Sequence, residues 1–174
     1  MLLGPSRATD RADRTLVAVL ANPSDRRGTR TERQVDVAAA VLLFDRVRIT
    51  NIFAYPSPSS RDILTLGREM GGWILARSLV NEALAHADGV LVGFGGIPVS
   101  GPARLHLADQ LRWLSAELQS RPSLPVWQVG SARHPSRWHQ FVSDRHGRTS
   151  GGSFRTRLTE VIQPVPVDDR VWAS

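Results

Sequence analysis

The sequence predicts a single three-layer α/β/α domain around a mostly parallel central sheet of four or five strands. Three observations lead there. Short apolar runs alternate with segments of helical spacing in the order β-α-β-α-β-α-β, the pattern of crossover units on a parallel sheet. The runs are apolar throughout rather than alternating, as strands covered on both faces require. Each run then stops at Pro, Gly or small polar residues that punctuate a chain. At 174 residues the chain suits one domain of ordinary size.

Residues 1–13 are polar and rich in Arg and Asp, which predicts a flexible N-terminal arm ahead of a domain over 14–167 and a C-terminal tail over 168–174. Residues 16–21 (LVAVLA) form the first buried strand and stop at Asn22-Pro23-Ser24. Residues 32–44 carry Val35, Ala38, Ala39, Leu42 and Leu43 at helical spacing. Residues 47–53 (VRITNIF) are the second strand, broken by Pro56 and Pro58. Ser59 or Ser60 caps a short helix running to Leu66. Residues 73–87 are helical, and 89–94 (GVLVGF) form a third strand ending at Gly95-Gly96. Residues 102–118 form a helix with Leu107, Leu111, Leu114 and Leu118 on one stripe. Residues 125–130 are the fourth strand, followed by a turn over 133–138. Residues 158–167 read as an edge strand limited by Pro164 and Pro166.

Composition narrows the chemistry. There is no cysteine, which excludes disulfides, Fe–S clusters, cysteine zinc sites and thiol catalysis. No apolar run approaches the roughly 18 residues of a membrane span, and the first fourteen residues lack the features of a secretory signal. A cytoplasmic protein without membrane attachment is expected, and a monomer. The net charge is +6, and all 22 basic residues are Arg. Six Arg and one acid, Asp144, lie between Arg133 and Arg157, so this stretch alone carries +5. A localised basic face is the footprint of a polyanionic partner, although a solvated basic tail has the same composition.

Phosphate-loop, dinucleotide, nucleophile-elbow and HExxH motifs are absent. His134 and His139 with Asp144 or His146 have no specific metal-ligand spacing, so neither a metal nor a cofactor is expected. What remains is a set of polar and special residues at the four strand ends: Asn22-Pro23-Ser24, Asn51 to Tyr55, Gly93-Phe94-Gly95-Gly96, and Arg133-His134-Pro135-Ser136. In open parallel sheets ligands bind outside the carboxyl ends of the strands. Asn51 stands out, because a buried amide without partners costs about 1–3 kcal/mol.

In order and spacing these four segments resemble the motif series of the uracil-DNA glycosylase superfamily. Within it they are most similar to a small bacterial family with an NPS turn, an N-x-F-A-Y strand end and a late HP turn. The resemblance covers about residues 16–138. It implies that Asn22 orients the attacking water and that His134 donates to the oxygen of the departing base. It implies base recognition by Asn51, with Phe53 or Tyr55 stacking on the base. Ser24, Gly95, Ser136, Arg133 and Arg137 would meet phosphate, with Arg137 at the position that wedges into DNA and Trp138 following. Asp25 is the acidic residue nearest the first motif. The implied activity is cleavage of a base–sugar N-glycosidic bond in DNA, at uracil or a modified or mismatched base, without a cofactor. Two alternatives use the same fold: a hydrolase of a free nucleotide or nucleoside, and a non-catalytic nucleic-acid or nucleotide-binding module. A third is an unrelated α/β protein with a solvated basic tail.

Overall fold

The computed structural model describes residues 13–24, 29–142 and 152–172. It is a three-layer α/β/α domain on a five-stranded sheet of order β2-β1-β3-β4-β5. The strands are β1 (Thr15–Leu20), β2 (Arg46–Asn51), β3 (Gly89–Val92), β4 (Val126–Val129) and β5 (Ile162–Pro164). The first four are parallel and β5 is antiparallel to β4. The helices are α1 (Arg30–Val41), α2 (Ile63–Leu66), α3 (Gly71–Leu84), α4 (Gly101–Gln119), α5 (His139–Val142) and α6 (Phe154–Val161).

The apolar runs behave as double-sided strands. Val17 and Val19 of β1 pack with Val80 and Ala83 of α3 and with Leu107, Leu111 and Leu114 of α4. Leu16 packs on the opposite face with Ala38 and Ala39 of α1 and Leu158 of α6, while Ala18 and Leu20 meet Val35 of α1. Each fully buried Val or Leu among them stabilises the fold by about 1.5–3 kcal/mol of transfer free energy. Both faces of β1 and β3 are dry, which is why neither alternates in polarity.

Three readings of the chain are corrected. The first helix ends at Val41, because Leu43 takes a left-handed φ of 61° and turns Phe44 under the sheet. There Phe44 meets Trp127 edge-on, with ring centroids 5.7 Å apart. Leu158 belongs to α6, not to a strand: Ser153 caps this helix by accepting from the Thr156 N–H, and only Ile162–Pro164 pair with β4. Residues 168–172 are not a tail. Arg170 is 3% exposed, and its guanidinium donates to the carbonyls of Leu118 (2.6 Å), Leu124 (2.8 Å) and Arg121 (3.0 Å), closing the end of α4. Trp172 then packs edge-on against Phe94, with centroids 6.1 Å apart. Of the expected N-terminal arm, residues 1–12 lie outside the described residues, and Asp13 pairs with Arg46.

Going from β1 to β2 the chain moves one way across the sheet, and from β2 to β3 it crosses back past β1. The loops after β1 and β3 therefore diverge and leave a crevice at the carboxyl ends, the switch point where open α/β sheets bind ligands. Among the described residues no helix is long and apolar enough to cross a membrane.

Candidate functional site

The crevice is a cleft of about 770 Å³, within the range of small-molecule sites. It collects eight of the ten residues singled out in the sequence: Asn22, Ser24, Asn51, Gly95, Arg133, His134, Ser136 and Arg137. The other two, Phe53 and Tyr55, are not in its wall. Phe53 is fully buried and packs on Gly72 and on Trp73, 4.7 Å between ring centroids. Tyr55 stands edge-on to Phe53 at 5.4 Å. Neither ring faces the cleft, so neither can stack on a ligand there. The aromatic that does line it is Phe94. Trp138 is fully buried, and its indole N–H donates to the Arg133 carbonyl at 2.8 Å, so it anchors the turn and is no surface wedge. Asp25 lies outside the described residues.

His134 is the most constrained group. It caps the short 3₁₀ turn Pro135–Arg137, with Nδ1 accepting from the Ser136 N–H at 3.3 Å. A backbone N–H can only donate, so Nδ1 holds a lone pair and the Ser136 hydroxyl, 2.9 Å away, donates to it as well. The single ring proton of the neutral imidazole is thereby assigned to Nε2. Burial, with a smaller contribution from the Arg137 charge, pushes the His134 pKa down to about 4. The ring is therefore neutral at physiological pH and presents an N–H donor.

Two glycines let the turn come this close. A Cβ on Gly93 would sit 3.3 Å from both Leu20 and Pro135, so this residue seats the turn against the end of β1. Gly95 has φ +69°, and a Cβ there would lie 3.0 Å from His134 Cβ. Its N–H donates to the carbonyl of Ala132, itself a left-handed residue at φ 52°.

On the opposite wall, Asn22 Nδ2 donates to Ser57 Oγ at 2.8 Å and to the Ser57 and Pro23 carbonyls at 3.2 Å. Ser57 Oγ in turn donates to the Ser59 carbonyl at 2.9 Å. Asn22 thus ties the 57–59 loop to the end of β1 through its nitrogen. Asn51 pairs in register with Leu20 at the end of β2, and its Oδ1 is buried with no hydrogen-bond partner. A buried carbonyl without a donor costs about 1–3 kcal/mol, so Asn51 is an energetically unfavourable residue at the cleft wall.

The charge distribution has a clear division. Arg46, Arg48, Arg77, Arg112 and Arg121 pair with carboxylates away from the cleft. Arg61, Arg133 and Arg137 line the cleft and have no acidic partner among the described residues. Of the four described Arg in the basic C-terminal stretch, Arg133 and Arg137 line it, while Arg155 donates to the Ala40 carbonyl. Sequence reasoning missed Arg61, Phe94 and Glu32. Glu32 carried a visible signal, the Thr29-x-x-Glu32 capping box, but that signal reads equally as a plain helix start. Among the described residues no group of three His, Asp or Glu converges as a metal site would need.

The fold and the site define a three-layer α/β domain with a polar, Arg-rimmed cleft at its switch point. No family model matches the chain, and neither does any curated protein or solved structure.

Proposed function

We propose that this cleft takes one base of a phosphate-bearing nucleotide or nucleic-acid strand and hydrolyses its N-glycosidic bond. The observation that carries the reading is His134, whose proton is assigned to Nε2 in a ring that stays neutral. Breaking a glycosidic bond puts negative charge on the departing base and positive charge on the sugar. A fixed neutral N–H aimed at a base oxygen lowers the barrier, because it strengthens as that charge develops and needs no reorganisation. The place of Asn51 in the cleft wall supports the same reading, since an amide side chain suits the imide or amide edge of a base. Phe94 offers an apolar wall, and the three guanidiniums that have no acidic partner among the described residues suit phosphate. The four-segment resemblance to uracil-DNA glycosylases agrees with it.

A second reading, a nucleotide-binding module without chemistry, is favoured by Asn22. Its nitrogen is fully engaged in holding the 57–59 loop, which is reason enough for an Asn at that position. The two readings separate in one assay: base release from uracil-, hypoxanthine- and mismatch-containing oligomers by the parent protein, Asn22→Ala and His134→Ala. The hydrolase reading expects release, reduced about 100-fold or more in His134→Ala. No release, with salt-sensitive binding retained by both variants, establishes the binding module instead.

A further inference from the structure

The proposed hydrolysis needs two more things from the cleft: a group to take the proton of the attacking water, and negative charge near the sugar as it becomes an oxocarbenium ion. Neither Asn22 nor His134 supplies them. An amide is no base at neutral pH, and the only free position on the His134 ring is a donor. Glu32 is the one carboxylate among the described residues of the cleft wall, which also carries three guanidiniums.

Its position follows from the helix that carries it. Val35 of α1 packs with Ala18 and Leu20 of β1 and against Ile49 of β2. Glu32, three residues earlier, lies on the same face of α1 one turn nearer its N-terminus. That turn overhangs the strand ends where Asn22 and Asn51 emerge, and Leu20, Ile49, Asn51 and Glu32 all line the cleft. The side chain is also held: Oε2 accepts from the Thr29 N–H at 2.7 Å, while the Thr29 hydroxyl accepts from the Glu32 N–H at 3.2 Å. The capping bond engages one carboxylate oxygen and fixes the direction of the group.

We infer that Glu32 is a further catalytic residue, the base that takes the water proton and the negative charge that faces the sugar. The inference rests on the hydrolase reading above. In the step it implies, the water oxygen bonds to C1′ as the C1′–N bond breaks. The bonding pair leaves with the base, whose oxyanion is met by His134 Nε2–H. The water proton passes to the Glu32 carboxylate and from there to solvent or the departed base. The reaction consumes one water and releases a free base and a sugar hydroxyl, with no other reactant.

The test uses Glu32→Gln, because a glutamine carbonyl still accepts from Thr29 and preserves the cap. Two readouts are taken on the full chain. One is kcat and KM for base release. The other is affinity for a single-stranded oligomer with a cationic pyrrolidine at the target sugar, compared with the neutral tetrahydrofuran. The expected result is a fall in kcat of about 100-fold or more with little change in KM or thermal midpoint. The parent protein should also bind the cationic analogue at least about tenfold more tightly than the neutral one, and the variant should lose that preference. Glu32→Gln within about threefold of parental kcat overturns the inference, and so does a parent protein indifferent to the analogue's charge. If the parent releases no base yet prefers the cation through Glu32, the charge role of Glu32 stands and the excision reading falls. If the parent binds neither analogue and releases no base, both fall.

Discussion

Burial of His134 makes stability depend on pH in a defined window. The folded-state pKa is about 4, below the ordinary value of 6.5, because burial disfavours the imidazolium and Arg137 repels it. Above pH 6.5 the ring is neutral in both folded and unfolded chains, so it contributes no slope. As pH falls from 6.5 towards 4 the unfolded chain takes up the proton first, and the fold loses stability. The full shift corresponds to about 3.4 kcal/mol, and the part expressed between pH 7.5 and 5.0 is about 2 kcal/mol. Partial solvent contact reduces this to about 1.5 kcal/mol. Carboxylates titrate in the same range, so the quantity to measure is a difference: urea unfolding of the parent and of His134→Gln at both pH values. The parent should lose about 1.5 kcal/mol more than the variant on acidification. NMR titration of the ring should place its midpoint near 4. Equal losses, or a ring that titrates near 6.5, would refute both the burial argument and the neutral-donor assignment.

Other substitutions test separate parts of the construction. Gly95→Ala adds a Cβ 3.0 Å from His134 Cβ at φ +69°, so it should cost about 1–3 kcal/mol in urea unfolding and displace the imidazole, read as a changed ring titration. Arg170→Met removes a donor from three carbonyls around the end of α4, of which those of Leu118 and Arg121 still accept from the Arg121 and Leu124 N–H groups, and should destabilise by about 1–3 kcal/mol without altering ligand affinity at the cleft. Phe94→Ala should weaken binding of a base-containing oligomer by about 1–3 kcal/mol, whereas Phe53→Leu should lower the thermal midpoint and leave binding intact. Ala at Arg61, Arg133 or Arg137 should each reduce the log–log salt slope for single-stranded DNA by about 0.7.

The buried parallel strands of the core were legible because residues 16–20 and 90–92 are apolar without interruption, and only strands buried on both faces read that way. The polar residues at the strand ends were legible as a site for a related reason: a parallel sheet brings all its carboxyl ends to one edge, so residues far apart in sequence meet there. The aromatic assignment was not legible. Phe53 and Phe94 both follow strands, and only the packing of Phe53 on Gly72 and Trp73 decides which ring is spent in the core. The C-terminal segment misled because Arg and Asp usually mark solvent. Arg170 is buried there by carbonyls at the end of α4 and needs no carboxylate, a pairing no local pattern reveals. Glu32 was hidden by its own capping role, which explains the residue fully until the cleft is seen beside it.

The central step of the proposed reaction is entry of a base between Asn51 and the His134 donor. Isotope-labelled protein titrated with a single-stranded oligomer carrying one 2′-fluoro-deoxyuridine, which resists glycosidic cleavage, tests that entry directly. The Asn51 side-chain amide and the His134 ring signals should shift together and saturate together, and both responses should vanish for the same oligomer lacking the base. Shifts confined to other surfaces, with these two groups unmoved, would contradict it.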